Sequence, residues 1–493
     1  MKRIVLVALL VLALWPRPAV LMAQQVVDIQ QVSGRIAGSI FVGGNSMAYL
    51  KVLADQFGGR LTGSSAYNMS AAWAAAQFRA MGIRNIKMET FTITHGWERG
   101  RARATLLTPL KRPLVLEPLG WTPSTPVKGI KGEVVLLEEI TPEKIKEEAA
   151  EIKGHIVMID LKKVFAGGFL DAFGEFMASF QRLKEAGAVA VLLPDSTPNN
   201  VLNAFSPMWG TEVPSLPVAQ VGREDAQFME RHIERNEGVS EDNPLEIEFE
   251  YQNKVTGPVE VSNVVAEIQG REQPDEWVIV GAHLDSWDYG TGAQDNGSGC
   301  AMVLESARAI SESGRAPRRS IRFALWGGEE QGLLGSTAYV RAHAAELNKC
   351  VAVLNTDNGA GHPRGWKVEG RADLADALKP ISESLLAALS GNGISQETSF
   401  DTDHGAFMLQ GIPALDLWVD MTHYGEVHHK SSDTIDKVDA HNLAAGAAIV
   451  AITAYAIADN PSPIAPKLEH EAVAEIIRKA KLENFLKNLG LWK

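Results

Sequence analysis

"EWVIVGAHLDSWDYGTGAQDNGSG", residues 276–299, begins as one kind of sequence and ends as another. Residues 276–285 form an almost unbroken apolar run, the pattern of a strand buried on both faces of a sheet. Asp and Gly then crowd in, and both are poor formers of strands and of helix interiors. The second half is therefore a turn that serves something other than regular structure. From Ser298 onward, Ala301, Val303, Leu304, Ala307 and Ile310 recur at helical spacing. Strand, glycine-rich turn and helix in this order open an α/β unit with parallel pairing.

The alternation continues toward the C terminus. "SIRFALWGG" (320–328), "VAVLN" (351–355) and "PALDLWVD" (413–420) read as strands, with helices over 335–347 and 373–389. The expected fold class is α/β, with a mostly parallel central sheet and helices on both faces. Upstream, residues 45–81 read as an Ala-rich helical stretch ending at Gly82, and 86–94 as a strand. Between about 103 and 250 the texture changes. Prolines become frequent, and short β-type runs such as "GHIVMID" and "AVAVLLP" alternate with turns and one helix, "FGEFMASFQRLKEAG". This predicts a separate, mostly β domain (103–255) inserted into a main domain made of 24–102 and 256–460. The tail, 461–493, reads as a peripheral amphipathic helix.

A chain of 493 residues favours two domains over one core. Its net charge of −13 argues against nucleic acid or an anionic membrane as partner, since both select Lys and Arg clusters. Residues 1–23 have a basic tip, an apolar run over 4–15 and a small residue, Ala23, at the end. They read as a signal peptide, which implies export to the periplasm or the exterior. The run is shorter than the ~20 residues a spanning helix needs, and no later stretch reads as long enough. Cys300 and Cys350 read as two isolated buried thiols, not a bridge.

The polar residues fall at strand ends. His283 and Asp285 end the first strand, and Asp295 lies in the turn behind it. Glu329 and Glu330 follow "IRFALW", Asp357 follows "VAVLN", and His429 lies in the loop after "PALDLWV". In an open α/β sheet the carboxyl ends of parallel strands share one rim, where ligand sites form. So many carboxylates in one place would repel each other unless cations neutralised them. Imidazole nitrogen with carboxylate oxygen suits zinc, and two ions sharing a bridging carboxylate would make a hydrolytic site. Asp295, in its Gly-flanked turn, is the expected bridge. Glu330 is assigned to metal and Glu329 to the general base. Asp285 is expected to orient the His283 ring from behind.

These residues, in the motifs "GAHLDSWDYGTGAQDNGSG", "LWGGEEQGLLGS", "LNTDNGAG" and "HHKSSDT", resemble the co-catalytic zinc exopeptidases, a family that includes bacterial aminopeptidases and glutamate carboxypeptidases. The resemblance implies one zinc on His283, Asp295 and Asp357 and another on Asp295, Glu330 and His429, with Glu329 as base. It also implies a cis bond between Asp295 and Asn296, a protease-associated character for the inserted segment, dipeptides with free ends as substrate, and a homodimer. One departure stands out: many relatives carry Tyr just before the last ligand, where this chain has His428, which is expected to donate to the oxyanion instead. "TDHGAF" matches a family stretch near the site, so Asp403 and His404 are expected behind the ligands. Rival readings are an aminopeptidase acting on longer peptides, a one-metal acyltransferase of the glutaminyl cyclase kind, and a non-catalytic binding relative. The last two fit poorly with a full set of ligands and a base.

Overall fold

The computed structural model describes residues 18–236, 244–488 and 490–492. The apolar run over 4–15 lies outside them, and Ala23 falls within a helix spanning Pro18–Gly43.

One eight-stranded sheet carries the candidate site. Its strand order is Asn85–Ile93, Val259–Ile268, Arg319–Trp326, Gln273–His283, Cys350–Asn355, Ala414–Val419, Pro363–Lys367, Gly393–Ser395. The four strands from Arg319–Trp326 to Ala414–Val419 run parallel. Antiparallel pairing joins the outer strands at Val259–Ile268 and Pro363–Lys367, so the sheet is mixed with a parallel centre.

Side-chain alternation explains why that centre reads as unbroken apolar sequence. Val278, Val280 and Ala282 enter the main core, together with the helix Ser298–Ser311. Trp277 and Ile279 point to the other face, where they pack with Trp326, Tyr339 and Phe407. Both faces are covered, as the α/β reading expects.

Three sequence expectations need correction. Residues 45–81 are not one helical stretch: Ser46–Lys51 and Val52–Phe57 end at Gly58, and a new helix runs over Ser65–Ala80. Gly58 and Gly63 both have positive φ, so "GGRLTGS" is a connector rather than helix. Second, the 20-residue helix Ala440–Asp459 was not anticipated. It is apolar and long enough to cross a bilayer, contrary to the reading that no later stretch is, yet most of it is buried against the sheet and the helix Ser298–Ser311. Third, residues 102–251 are not mostly β. They build a second eight-stranded sheet, but they also carry the helices Phe169–Ala186 and Arg223–Asn236 and shorter helices begun by the caps Thr141 and Asp160. Strands Ile130–Leu137, Ile156–Ile159, Ala190–Pro194 and Val218–Val221 lie parallel at the centre of this sheet.

Cys300 and Cys350 are both free and buried. The tail forms the helices His470–Lys479 and Glu483–Asn488. Val473, Ile477 and Leu486 pack against Phe400 and Met408.

Candidate metal centre

The carboxyl ends of the four central parallel strands meet at one rim. His283 is the last residue of its strand. Glu329 and Glu330 come three and four residues after Trp326, and Asp357 two after Asn355. His429 arrives on the longer loop beyond Val419, in the left-handed region at φ 59°.

The Asp295 carboxylate lies between the two imidazoles. Its Oδ1 is 3.2 Å from His283 Nε2 and its Oδ2 is 3.3 Å from His429 Nε2. His283 Nε2 is also 2.8 Å from Asp357 Oδ1, and His429 Nε2 is 2.9 Å from Glu330 Oε2. The shortest contacts pair His283 with Asp357 and His429 with Glu330, with Asp295 between them, while Glu330 also groups within 4.8 Å with His283 and Asp295, and His429 with Asp295 and His428. Glu329 has a carboxylate oxygen within 4.8 Å of both His283 and Asp357 donors. His428 stacks on His429 at 3.8 Å between ring centres; its side chain is about half exposed, and its Nε2 is 3.7 Å from Asp295 Oδ2.

Supporting residues hold these groups in place. Asp285 has Oδ2 bonded by the Thr62 hydroxyl at 2.9 Å, and its two oxygens accept the backbone N–H groups of Glu329 and Glu330 at 3.3 Å each. Asp285 therefore fixes the twin Glu pair. The expected contact with His283 is made differently: Nδ1 lies 2.9 Å from the Asp285 carbonyl oxygen and 3.7 Å from its carboxylate. A proton on Nδ1 bonded to that carbonyl leaves the Nε2 lone pair facing Asp295 and Asp357.

The glycine-rich turn is anchored from outside. Asp433 accepts the backbone N–H of Gln294 (2.7 Å) and of Asp295 (3.1 Å). The fully buried Arg60 donates to the carbonyls of Leu53, Gly58, Leu284, Thr291 and Gly292. The Asp295–Asn296 peptide bond is cis. Asn296 donates to the Thr356 carbonyl at 2.7 Å, tying the turn to the Asp357 loop. Gly299 permits this approach, because a Cβ there would sit 2.3 Å from the Thr356 carbonyl oxygen.

Arg60, Thr62 and Asp433 escaped the sequence reading. Asp433 lies within the quoted "HHKSSDT", but nothing local distinguishes it from a turn residue. Arg60 and Thr62 sit more than 200 residues from the turn they brace. Asp403 and His404 are buried on the helix that starts behind the Asp357 strand. His404 Nε2 faces Glu369 Oε1 at 3.5 Å and the Ser399 carbonyl at 3.3 Å, not a candidate ligand. Burial raises the Asp403 carboxyl to about 7.

The electrostatics mark a site short of positive charge. Burial raises Glu329 and Glu330 well above the carboxylate range, and Asp357 rises for the same reason. Burial also pushes Asp295 upward, but the His283 hydrogen bond and the neighbouring imidazoles outweigh it and bring it down. Asp295 Oδ2 and Glu330 Oε1 are buried without a hydrogen-bond partner among the described residues. No Lys or Arg pairs with Asp295, Glu329, Glu330 or Asp357 among the described residues. The orphaned Asp295 Oδ2 facing His429 Nε2, within a cluster of imidazole and carboxylate donors, fits divalent metal of the zinc type.

Comparison with known proteins agrees with this architecture. Residues 263–454 match peptidase family M28. Carboxypeptidase Q of Xenopus laevis is 30% identical over 417 residues, covering 83% of this chain and 85% of that protein. The crystal structure of a peptidase M28 precursor from Shewanella amazonensis superposes with a TM-score of 0.74 at 27% identity, over 90% of this chain and all of the other. BSAP, a zinc aminopeptidase from Bacillus subtilis, shares the fold at a TM-score of 0.64 and 20% identity, over 86% of this chain and 97% of that one. With the rim geometry and a relative matched along most of its length, the chain belongs to peptidase family M28 and is a metallopeptidase of it.

Proposed function

We propose that this chain is an exported exopeptidase that uses two zinc ions to hydrolyse small peptides, dipeptides with free termini foremost. The observation that carries the reading is Asp295 facing His283 with one carboxylate oxygen and His429 with the other. His283, Asp295 and Asp357 would hold one ion, and Asp295, Glu330 and His429 the second. Ions bound there would polarise the scissile carbonyl and lower the pKa of an attacking water.

The chain's own residues do the remaining work. Glu329, held at its backbone by Asp285, takes the water's proton and delivers it to the leaving amine. His428, half exposed at the rim, donates a hydrogen bond to the oxyanion as the carbonyl carbon becomes tetrahedral. Residues 103–255 would act as an inserted, protease-associated-type domain bordering the substrate cleft. Support for this comes from Ala204, whose N–H bonds the His429 carbonyl at 2.6 Å, and from the Asn203–Lys430 bridge beside it. Export rests on the leader-like residues 1–23, and carboxypeptidase Q supplies the leaning toward dipeptides.

An aminopeptidase acting on longer chains would use the same rim. A screen of dipeptides against aminoacyl-amides and longer peptides, with zinc-loaded and chelated protein, tests the reading. Zinc-dependent cleavage of dipeptides is expected. Full activity after complete metal removal would overturn the mechanism, and preference for long peptides would select the aminopeptidase.

A further inference from the structure

The second sheet has a rim of its own. Strands Ile156–Ile159, Ala190–Pro194 and Val218–Val221 are parallel, and a cavity of about 400 Å³ opens at their carboxyl ends. Crevices in this position are where open α/β sheets bind ligands. Lys162, Arg223 and Glu230 line it. Neither Lys162 nor Arg223 has an ion-pair or side-chain hydrogen-bond partner among the described residues. Gln220, on the last of the three strands, also lines the cavity; it is 3% exposed and its Oε1 accepts no hydrogen bond among the described residues. The cavity thus offers two cationic groups, three carboxylates and one buried, unsatisfied acceptor; Asp160 and Asp195 already accept backbone N–H groups, which leaves Glu230 as the uncommitted carboxylate.

One wall leads to the metal centre. Asp195, on the cavity lining, accepts the backbone N–H groups of Thr197 and Asn203 at 2.6 Å each. Asn200 caps the helix Arg223–Asn236 by accepting from Glu224 and Asp225. The same loop then runs beside the catalytic histidines: the Leu202 carbonyl accepts from Ser431 N at 3.1 Å, and Ala204 N donates to the His429 carbonyl. These bonds join residues 195–204, which include part of the cavity wall, directly to the His429 backbone.

We propose that this cavity is a second ligand site, selective for a free α-amino acid, and that its occupancy tunes catalysis through residues 195–204. The ligand's carboxylate is taken by Arg223 and Lys162, and its ammonium by Glu230 and the Gln220 carbonyl oxygen. No reaction occurs there.

Calorimetric titration of the zinc-loaded protein with glycine, L-leucine, L-glutamate and L-lysine tests this, with Arg223→Gln and Lys162→Gln alongside. Saturable binding of at least one amino acid is expected, weakened about tenfold or more in each variant, as loss of a charge-assisted hydrogen bond predicts. Hydrolysis without added amino acid should be unchanged in both variants. In the unsubstituted protein the bound amino acid should change the rate at least about twofold. Absence of binding by all four, or equal binding in both variants, overturns the site; binding with identical rates overturns the coupling. Repeating the titration on Glu329→Gln protein keeps the result independent of whether the chain cleaves peptides.

Discussion

Asp433 accepts the backbone N–H of Asp295 at 3.1 Å while its other oxygen accepts that of Gln294. A carboxylate outside the turn therefore fixes the main chain of the residue shared by both imidazoles. Asp433→Ala removes both acceptors from a buried position. Loss of such an outer-shell partner typically costs about 10–100-fold in metal affinity. Chelator competition should show that loss, with Asp433→Asn retaining part of the affinity. Unchanged affinity in the Ala variant would remove Asp433 from the metal centre's support.

Glu329→Gln keeps the size of the side chain and removes the proposed base. Hydrolysis should fall by about 10²–10⁴-fold, while elemental analysis still finds close to two zinc ions per chain. A variant that lost its metal together with its activity would make Glu329 a ligand instead.

Arg60 is buried with no ion pair among the described residues and donates to five carbonyls. Arg60→Met leaves several of those acceptors unsatisfied, at about 1–3 kcal/mol for each one that water cannot reach. Urea denaturation of zinc-loaded protein should show a loss of about 2–4 kcal/mol, and reduced zinc affinity should accompany it.

His404 supplies a pH test away from the ligands. Burial opposes its protonation, but Glu369 outweighs burial and raises the imidazole to about 10. A His raised above its unfolded value of about 6.5 stabilises the fold fully below that value, and the contribution disappears as pH rises through the folded value. The stability gap between the unsubstituted protein and His404→Gln should therefore be widest below pH 6.5 and narrow toward pH 10. Thermal melts across that range check it, and a constant gap would mean that the pair is not charged.

The central sheet was legible because burial on both faces leaves a continuous apolar record, as in residues 276–285. The rim residues were legible because parallel strands put their carboxyl ends together whatever the intervening length. What the sequence hid were interactions between distant segments. Arg60 reads as an ordinary cation in a glycine-rich connector, and its role appears only when the 284–292 loop folds over it. The helix Ala440–Asp459 is apolar around most of its circumference, so it lacks the one-sided pattern that marks a surface helix. The short helices in residues 102–251 depend on single caps such as Thr141 and Asp160, which in sequence look like any turn residue.

The main-chain pairing of residues 202–204 with 429–431 bears on how far the molecule can be trimmed. An enzyme pared down to residues 263–454, the stretch matched to its family, would forfeit the neighbouring segment that steadies His429 in its left-handed turn. Its histidine loop would lose the backbone partners Leu202 and Ala204 and keep only contacts from within that stretch, such as Trp287 against the His429 ring and Thr291 on the Asp433 carbonyl.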